Sequence, residues 1–311
     1  MSNTPNRIDA ALLTRLLRSA LGHCGNLTNY RIVREDEDYA VIAAGLTDPT
    51  QEVVIKLAGP RAVLMSAFER TAAIVQLVRS HSVVRTFDVL AVDVSYRIWP
   101  WRYIVTTTVP GDHWSDVCAR GQAKRPRALY ASLGRTIGQL HTIHFPSCGE
   151  IAPDGSVTAG TTYYQALMER AQRRIANPAH AMLFVSLLQE RSQLFNGLVA
   201  GTLCHDDLNP SNLLVAGTAA DQPAVAVIDF DSAWAGCSES DLARLEFWRG
   251  MTGEGFWEAY QDYVPVSMSY PERRPIYQLL WCLEYARPTA QHITDTERVC
   301  TALGIAPVTF P

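Results

Sequence analysis

Two carboxylates and an amide stand where phosphoryl-transfer chemistry could use them. Asp207 and Asn212 lie five residues apart in His205-Asp206-Asp207-Leu208-Asn209-Pro210-Ser211-Asn212, and Asp229 ends the apolar run Val225-Ala226-Val227-Ile228. Pro210 keeps Asn209 out of the helical region, so residues 205–212 are expected to form a loop of fixed shape. A magnesium nucleotide needs oxygen ligands around a small hard cation. It also needs one carboxylate that faces the attacking hydroxyl rather than the metal. The spacing H-x-D-x-x-x-x-N is that of a kinase catalytic loop, with Asp207 as the group facing the hydroxyl and Asn212 and Asp229 as the metal ligands. The competing reading of solvated loop acids explains one acidic loop, but not this joint spacing.

The elements around these residues must hold them in place. Leu213 to Val215 and Ala224 to Phe230 are rich in β-branched residues, and Gly217, Asp221 and Pro223 lie between them, so they predict a pair of strands joined by a turn. Upstream, Ile8, Leu12, Leu13, Leu16, Leu17 and Leu21 recur at helical spacing and predict an opening helix that ends near Gly22 or Gly25. Thr28 to Arg34, Tyr39 to Ala44 and Glu52 to Leu57 predict three consecutive strands. The third carries Lys56 among apolar neighbours, and an ammonium there must find a counter-charge. Gly59-Pro60 then launches a helix with Leu64, Phe68, Val75 and Val78 on its apolar face and Glu69 beside them. Val83 to Val94 and Tyr103 to Val109 predict two more strands around a bend at Trp99-Pro100-Trp101. Helices are expected near Leu129 to Leu140, Tyr163 to Ile175, His180 to Val199, Ile276 to Tyr285 and Thr294 to Leu303. His141 and His144 could approach a metal, but with no third ligand nearby a packing or capping role is favoured.

At its central loop the chain resembles the aminoglycoside phosphotransferase and choline kinase-like family of small-molecule kinases. Residues 205–212 are similar to that family's His-Gly-Asp-Leu-His-Pro-x-Asn loop. Val227-Ile228-Asp229-Phe230-Asp231 followed by Asp241-Leu242-Ala243 is similar to its Ile-Asp-Phe-Asp to Asp-Leu-Ala segment. Leu140-His141 and the Phe-Pro-x-x-Gly step at 145–149 extend the likeness, and the departures are Asp206 for Gly, Asn209 for His and Ser211 for Gly. The resemblance implies an α+β, protein-kinase-like two-lobed fold. Residues 1–109 would form a nucleotide-binding lobe with an antiparallel sheet and one main helix, and residues 110–311 a mostly helical lobe for catalysis and substrate binding. It also implies that Lys56, paired with Glu69, meets the nucleotide phosphates, that Asp241 braces the catalytic loop from behind, and that backbone groups around Thr107 and Val109 meet the base. The implied cofactors are Mg2+ and ATP or GTP as phosphoryl donor. The implied acceptor is a hydroxyl of a small molecule, a cationic one in the leading case. A cationic antibiotic is the leading expectation and with it a role in resistance; an amino alcohol, a sugar or a homoserine-like metabolite is the alternative.

Composition and charge narrow the rest. A net charge of −4 and a pI near 6.1 provide no basic field for a nucleic-acid backbone. No apolar run reaches a membrane span, and there is no basic head followed by an apolar stretch at the start. Seven scattered cysteines without a C-x-x-C pair fit reduced thiols, so a cytoplasmic enzyme is expected. Asp241 follows only twelve positions after Asp229, too few for a long activation loop, which disfavours a protein substrate. Between Gly236 and Asp262 six acids face two arginines, Arg244 and Arg249, and if these acids lined one cleft they would draw in a polycation. One feature opposes the kinase reading. The turn where phosphates are normally covered is Arg34-Glu35-Asp36-Glu37-Asp38, without glycine and with four acids. It favours a catalytically silent nucleotide-binding protein, whereas Lys56, Asp207, Asn212 and Asp229 together favour an enzyme.

Overall fold

A computed structural model describes residues 8–22, 26–36, 38–47, 50–59, 62, 67–97, 101–120, 127–198, 201–217, 223–248, 250–285 and 288–310. Gly25, Glu37, Pro60, Leu64, the Trp99-Pro100 step, Asp221 and Arg249 lie outside the described residues.

The chain opens with α1 (Ala10–Leu21), capped by the Asp9 carboxylate on the Leu12 amide and ended at Gly22 with φ +63°. An antiparallel sheet follows, built from β1 (Leu27–Asp36), β2 (Tyr39–Thr47), β3 (Thr50–Ala58), β4 (Val89–Asp93) and β5 (Arg102–Thr107) in the order β1-β2-β3-β5-β4. Side chains alternate across a strand, so Val53, Ile55 and Leu57 of β3 turn one way and pack with Leu13, Leu16 and Leu17 of α1. Burying each such side chain contributes about 1.5–3 kcal/mol. Lys56 falls on the opposite side by the same alternation. It is paired in register with Val41 and Ile104, on the side where Phe68 of α2 (Phe68–His81) packs with Tyr39, Ala58 and Ile104. The expected strand over Val83 to Val94 shrinks to Val89–Asp93, because Arg85 instead bridges to Ala226 outside this sheet.

The remainder is mostly helical around two small antiparallel sheets. After β6 (Asp112–His113) and α3 (Trp114–Arg120) comes α4 (Arg127–Leu140), which buries Leu129, Leu133, Ile137 and Leu140 as their spacing requires. Then come β7 (His144–Phe145), α5 (Tyr163–Arg174) with a capping box at Thr162 and Gln165, and α6 (Pro178–Glu190). The helix expected to run to Val199 stops at Glu190 and gives way to a 3-10 turn at Ser192–Phe195. β8 (Gly201–Cys204), β9 (Leu213–Ala216), β10 (Ala224–Val227) and β11 (Trp234–Gly236) follow, then α7 (Ser238–Phe247), α8 (Phe256–Gln261), α9 (Tyr270–Leu283) and α10 (Ala290–Leu303).

The two small sheets have the orders β10-β9-β6 and β11-β8-β7. The chain passes from one to the other twice. Residues 205–212 lead from β8 to β9, and residues 228–233 lead back from β10 to β11. Both crossings are irregular backbone held between paired strands, and they carry the residues singled out by the sequence.

Candidate active site

The two crossings are tied to each other through their backbones. The Ile228 amide donates to the Asn212 carbonyl at 3.0 Å, and His205 Nε2 donates to the Ile228 carbonyl at 2.9 Å. His205 Nδ1 accepts from the Asp207 amide at 3.2 Å, which places the ring proton on Nε2. His205 is fully buried and packs on Phe230 with ring centroids 4.8 Å apart. It therefore shapes the loop and has no access to a reacting group. Asp241, at the start of α7 and also fully buried, takes the amides of His205 and Asp206 on its two oxygens at 2.7 and 2.8 Å. His141 Nε2 reaches the same carboxylate at 3.1 Å, and Tyr260 meets its other ring nitrogen at 2.9 Å. His141 is thus part of the brace under the loop, while His144 is exposed in β7.

With its backbone fixed from below, Asp207 presents a carboxylate about one third exposed. Asn212 Nδ2 donates to the Asp207 carbonyl at 2.8 Å and to Oδ2 at 2.9 Å, and Arg244 Nη2 donates to Oδ1 at 2.8 Å. Each carboxylate oxygen keeps lone-pair capacity for another donor, so the group can still accept a hydroxyl proton. Asn212 spends its amide nitrogen on Asp207. Among the described residues its Oδ1 has no hydrogen-bond partner and is available as a ligand.

Asp229 sits at φ +68°, ψ +63°, a left-handed conformation that a non-glycine residue adopts at a cost, here at the bend between β10 and the turn Phe230–Ser232. Lys56 Nζ lies 2.7 Å from Asp229 Oδ1 and 2.7 Å from Asp231 Oδ2. This answers the counter-charge that Lys56 required, with different partners from the one expected. Among the described residues Glu69 makes no ion pair. Its neighbours on α2 hold the segment after Asp229 instead: Thr71 Oγ1 donates to Asp231 Oδ1 at 2.8 Å and Arg70 Nη2 to the Asp231 carbonyl at 2.6 Å. Burial would lower the Lys56 pKa, but Asp231 and Asp229 hold it well above its ordinary value. The two carboxylates separate. Burial, aided by the Asp229 charge, pushes Asp231 up, whereas Lys56 outweighs burial at Asp229 and holds it below the usual range.

Asp206 occupies a glycine position of the resembled loop and has φ +58°. Its carboxylate is bound by Arg170 and Arg174 of α5, the latter at 2.8 Å. Burial alone would raise this carboxyl, but Arg170, Arg174 and Arg244 together hold it down. Arg170 also donates to Glu150 and to the Ser232 carbonyl, and Arg70 joins Glu150 from the other side at 2.7 Å. Arg70, Glu150, Arg170 and Asp206 therefore form a continuous chain of charge between α2 and the catalytic loop. Sequence reasoning had no signal for it beyond the unusual Asp206.

At the edge of the N-terminal sheet, the acids of the β1–β2 turn are partly engaged. The Asp38 carboxylate accepts the Ala62 amide at 2.9 Å and its carbonyl accepts the Gly59 amide at 2.9 Å. The approach is so close that a Cβ on Gly59 would stand 2.3 Å from Asp38 Oδ1. Arg34 spends its Nε on Asp36. Thr107 ends β5, with its amide on the Asp88 carbonyl and its hydroxyl accepting the Asp88 amide, both at 2.9 Å. Beyond it, Val109 makes no backbone hydrogen bond among the described residues.

The acids after Gly236 do not line one cleft. Glu239 is buried on Arg273, Asp241 lies under the loop, Glu246 takes Tyr270 and Arg274, and Glu254 and Glu258 flank Arg127.

Comparison with protein families matches residues 31–274 to the model of the phosphotransferase enzyme family. Comparison with curated proteins finds no match. Among solved structures the chain is similar to a thermostable mutant of aminoglycoside phosphotransferase APH(4)-Ia in a ternary complex with AMP-PNP and hygromycin B, with TM-score 0.61, 15% identity and coverage of 93% of this chain and 95% of that one. It is also similar to spectinomycin phosphotransferase APH(9)-Ia in complex with ADP and spectinomycin, at 0.56, 14%, 96% and 94%. A third is ethanolamine kinase from Plasmodium vivax, at 0.55, 12%, 89% and 82%. Identities this low speak to the fold alone. It is the protein-kinase-like fold, with an antiparallel N-terminal sheet and a helical C-terminal part.

Proposed function

Because the chain belongs to the phosphotransferase enzyme family, and is thereby a small-molecule kinase, we propose that it moves the γ-phosphoryl group of ATP or GTP to a hydroxyl held against Asp207. The observation that carries this reading is the pairing of a fixed, solvent-reachable Asp207 with an open Asn212 oxygen and the Asp229–Lys56 pair on two crossings joined by backbone bonds.

In this reading Asp207 orients the acceptor hydroxyl and takes its proton as the hydroxyl oxygen bonds the γ-phosphorus. The bond from that phosphorus to the β–γ bridging oxygen breaks, and the nucleoside diphosphate carries the electron pair away. Lys56 brings positive charge to the phosphates from β3, and Asp231, Thr71 and Arg70 keep the loop around it in place. Glu69 acts at most through α2. Residues up to 109 serve as the nucleotide part, with Thr107 and the open backbone of Val109 as the edge that meets the base; residues from 110 serve catalysis and the acceptor.

The donor set suits magnesium. It offers the Asn212 amide oxygen and the Asp229 carboxylate, and magnesium needs only one or two protein oxygens when phosphates and water complete its shell. Bound there, the ion would neutralise charge on the phosphates. No all-protein cage is required, and among the described residues no three His, Cys, Asp or Glu side chains form one.

The acceptor is a small molecule. The expectation of a cationic antibiotic rests on the family resemblance; the acidic cleft that would have added to it lacks support, because Glu239, Glu246, Glu254 and Glu258 meet Arg273, Arg274 and Arg127 and Asp241 meets the loop amides. The silent-binder alternative drew on repulsion by the β1–β2 turn, and Asp38 is turned to the Gly59–Ala62 backbone. Among the described residues no helix is long and apolar enough to cross a membrane.

Asp207→Asn tests the assignment. Transfer and nucleotide hydrolysis should fall by at least about 10²-fold, as expected for loss of a general base, with nucleotide affinity nearly unchanged. Equal turnover in variant and parent would remove Asp207 from the chemistry.

A further inference from the structure

Beside the loop that carries Asp207, a partly open cavity is bounded by α5, α7 and α9. Tyr163, Trp234, Arg244, Trp281 and Glu284 are among its walls, and Asp206 is its wall on the loop side. Three of these walls carry a buried donor with no acceptor among the described residues: Tyr163 Oη, Trp234 Nε1 and Arg244 Nε. Tyr163 is fully buried, Trp234 is 1% exposed and the Arg244 side chain 10%. Buried donors are rarely left unmade, so three around one cavity mark the place of an acceptor-bearing group that the protein itself does not supply.

The charges around the cavity are unequally occupied. Asp206 is bound by Arg170 and Arg174, and Glu284 by Arg174 at 3.0 Å. Burial also favours the neutral form of Glu284. Among the described residues Arg244 gives a single bond, from Nη2 to Asp207, and rests its guanidinium 5.0 Å from the Trp281 ring centre. It is the guanidinium with donors to spare, and it reaches both the cavity and the carboxylate that faces the acceptor hydroxyl. A guanidinium in that position pairs best with a planar oxyanion, to which it can offer two parallel N–H groups. An ammonium group offers no acceptor to any of the three donors and would face Arg244 with like charge.

We propose that this cavity receives the carboxylate of the acceptor, gripped by Arg244, so that the substrates are small hydroxy acids rather than polycations. The inference rests on Asp207 as the group that meets the acceptor hydroxyl. Arg244 is then the specificity-determining residue. It holds the acid end while Asp207, bonded to the same guanidinium, meets the hydroxyl.

The test is calorimetric titration of the full chain with matched pairs, D-glycerate against glycerol and 4-hydroxybutyrate against 1,4-butanediol, with ethanolamine and hygromycin B as cationic comparators. The parent protein should bind each carboxylate at least about tenfold more tightly than its neutral partner, the scale of one charge-assisted contact. Arg244→Gln should bring that ratio near one while leaving nucleotide affinity in place, and Arg244→Lys should keep part of it. A parent protein without carboxylate preference, including one that binds none of these compounds, overturns the proposal and leaves the cavity to water. Preference for the cations, or a carboxylate preference that survives Arg244→Gln in folded protein, overturns it as well. Asp207→Asn separates the two layers, because it should retain the carboxylate preference while losing transfer. Carboxylate binding without phosphoryl transfer in the parent would support the site and count against the kinase reading.

Discussion

Asp241→Asn is the perturbation that asks most of the structure, because the residue touches nothing that reacts. Its two oxygens accept the His205 and Asp206 amides at 2.7 and 2.8 Å, and His141 Nε2 at 3.1 Å, in a fully buried setting. An amide side chain keeps one acceptor oxygen and replaces the other with a donor. Whichever way it turns, at least one backbone N–H of the catalytic loop loses its partner and faces a second N–H. Leaving a buried donor unsatisfied costs about 1–3 kcal/mol, and the surviving bonds lose their charge assistance. We therefore expect Asp241→Asn to lose about 3 kcal/mol in urea unfolding. The amides lie one and two residues before Asp207, so the carboxylate should shift as well, and a displacement near 1 Å costs about 10²-fold in turnover. On the proposed reading nucleotide affinity depends on Lys56 and Asp229, which Asp241 does not touch, and should change little. A variant that unfolds within about 1 kcal/mol of the parent would refute the brace. One that lost stability but kept its turnover would show that Asp207 does not depend on it.

The other predictions concern charge. Lys56→Met leaves Asp229 and Asp231 facing each other without a cation, so it should raise the KM for nucleotide and cost about 1.5–3 kcal/mol in urea unfolding, the scale of a charged hydrogen bond in this partly buried setting; unchanged nucleotide KM would detach Lys56 from the phosphates. The folded-state pKa of Asp206 is depressed, so its contribution to stability is present above the unfolded value of about 3.9 and is lost as pH falls through the lower folded value. Stability measured from pH 6 down to 3 should therefore fall less steeply in Asp206→Asn than in the parent, and parallel slopes would mean that Arg170 and Arg174 do not hold this carboxylate.

That Asp207, Asn212 and Asp229 would stand on neighbouring loop and strand ends was legible in the sequence because kinase chemistry constrains spacing over short distances. The loop from His205 to Asn212 and the strand ending at Asp229 are each local in sequence, and Pro210 and the β-branched runs mark them as loop and strand before the groups that brace them are known. The N-terminal strands were legible for the same reason, since alternation along β3 both places Lys56 opposite the α1 face and demands a counter-charge for it. What failed was pairing across the chain. Glu69 was a reasonable partner on helix position, yet Lys56 meets Asp229 and Asp231, about 170 residues away, while Arg70 and Thr71 turn to the same loop. One-dimensional periodicity says which face of a helix is apolar, but not which charged neighbour on its flank faces inward. The acids after Gly236 show the same limit. As a count they suggested an acidic cleft, whereas in three dimensions Glu239, Asp241 and Glu246 are taken up by Arg273, the loop amides, Tyr270 and Arg274, and Glu254 and Glu258 flank the exposed Arg127.

Asp206 shows how a departure from a familiar motif can report on the surroundings. A glycine there would adopt φ +58° without strain, whereas aspartate pays of order 1–2 kcal/mol for the same conformation. That cost is met only if the side chain does something a hydrogen cannot, and here it binds Arg170 and Arg174 behind the loop. Arg170 in turn holds Glu150, which holds Arg70 on α2, while Arg70 holds the Asp231 carbonyl. The substitution thus connects residues 205–212, residues 228–233 and α2 through Glu150 and the arginines of α5. In the expected arrangement a single Lys56–Glu69 contact would have carried that connection. The same arginine-rich back wall leaves Arg244 with unspent donors next to Asp207, so the loop's departure from glycine and the acid preference inferred for the acceptor belong to one electrostatic arrangement.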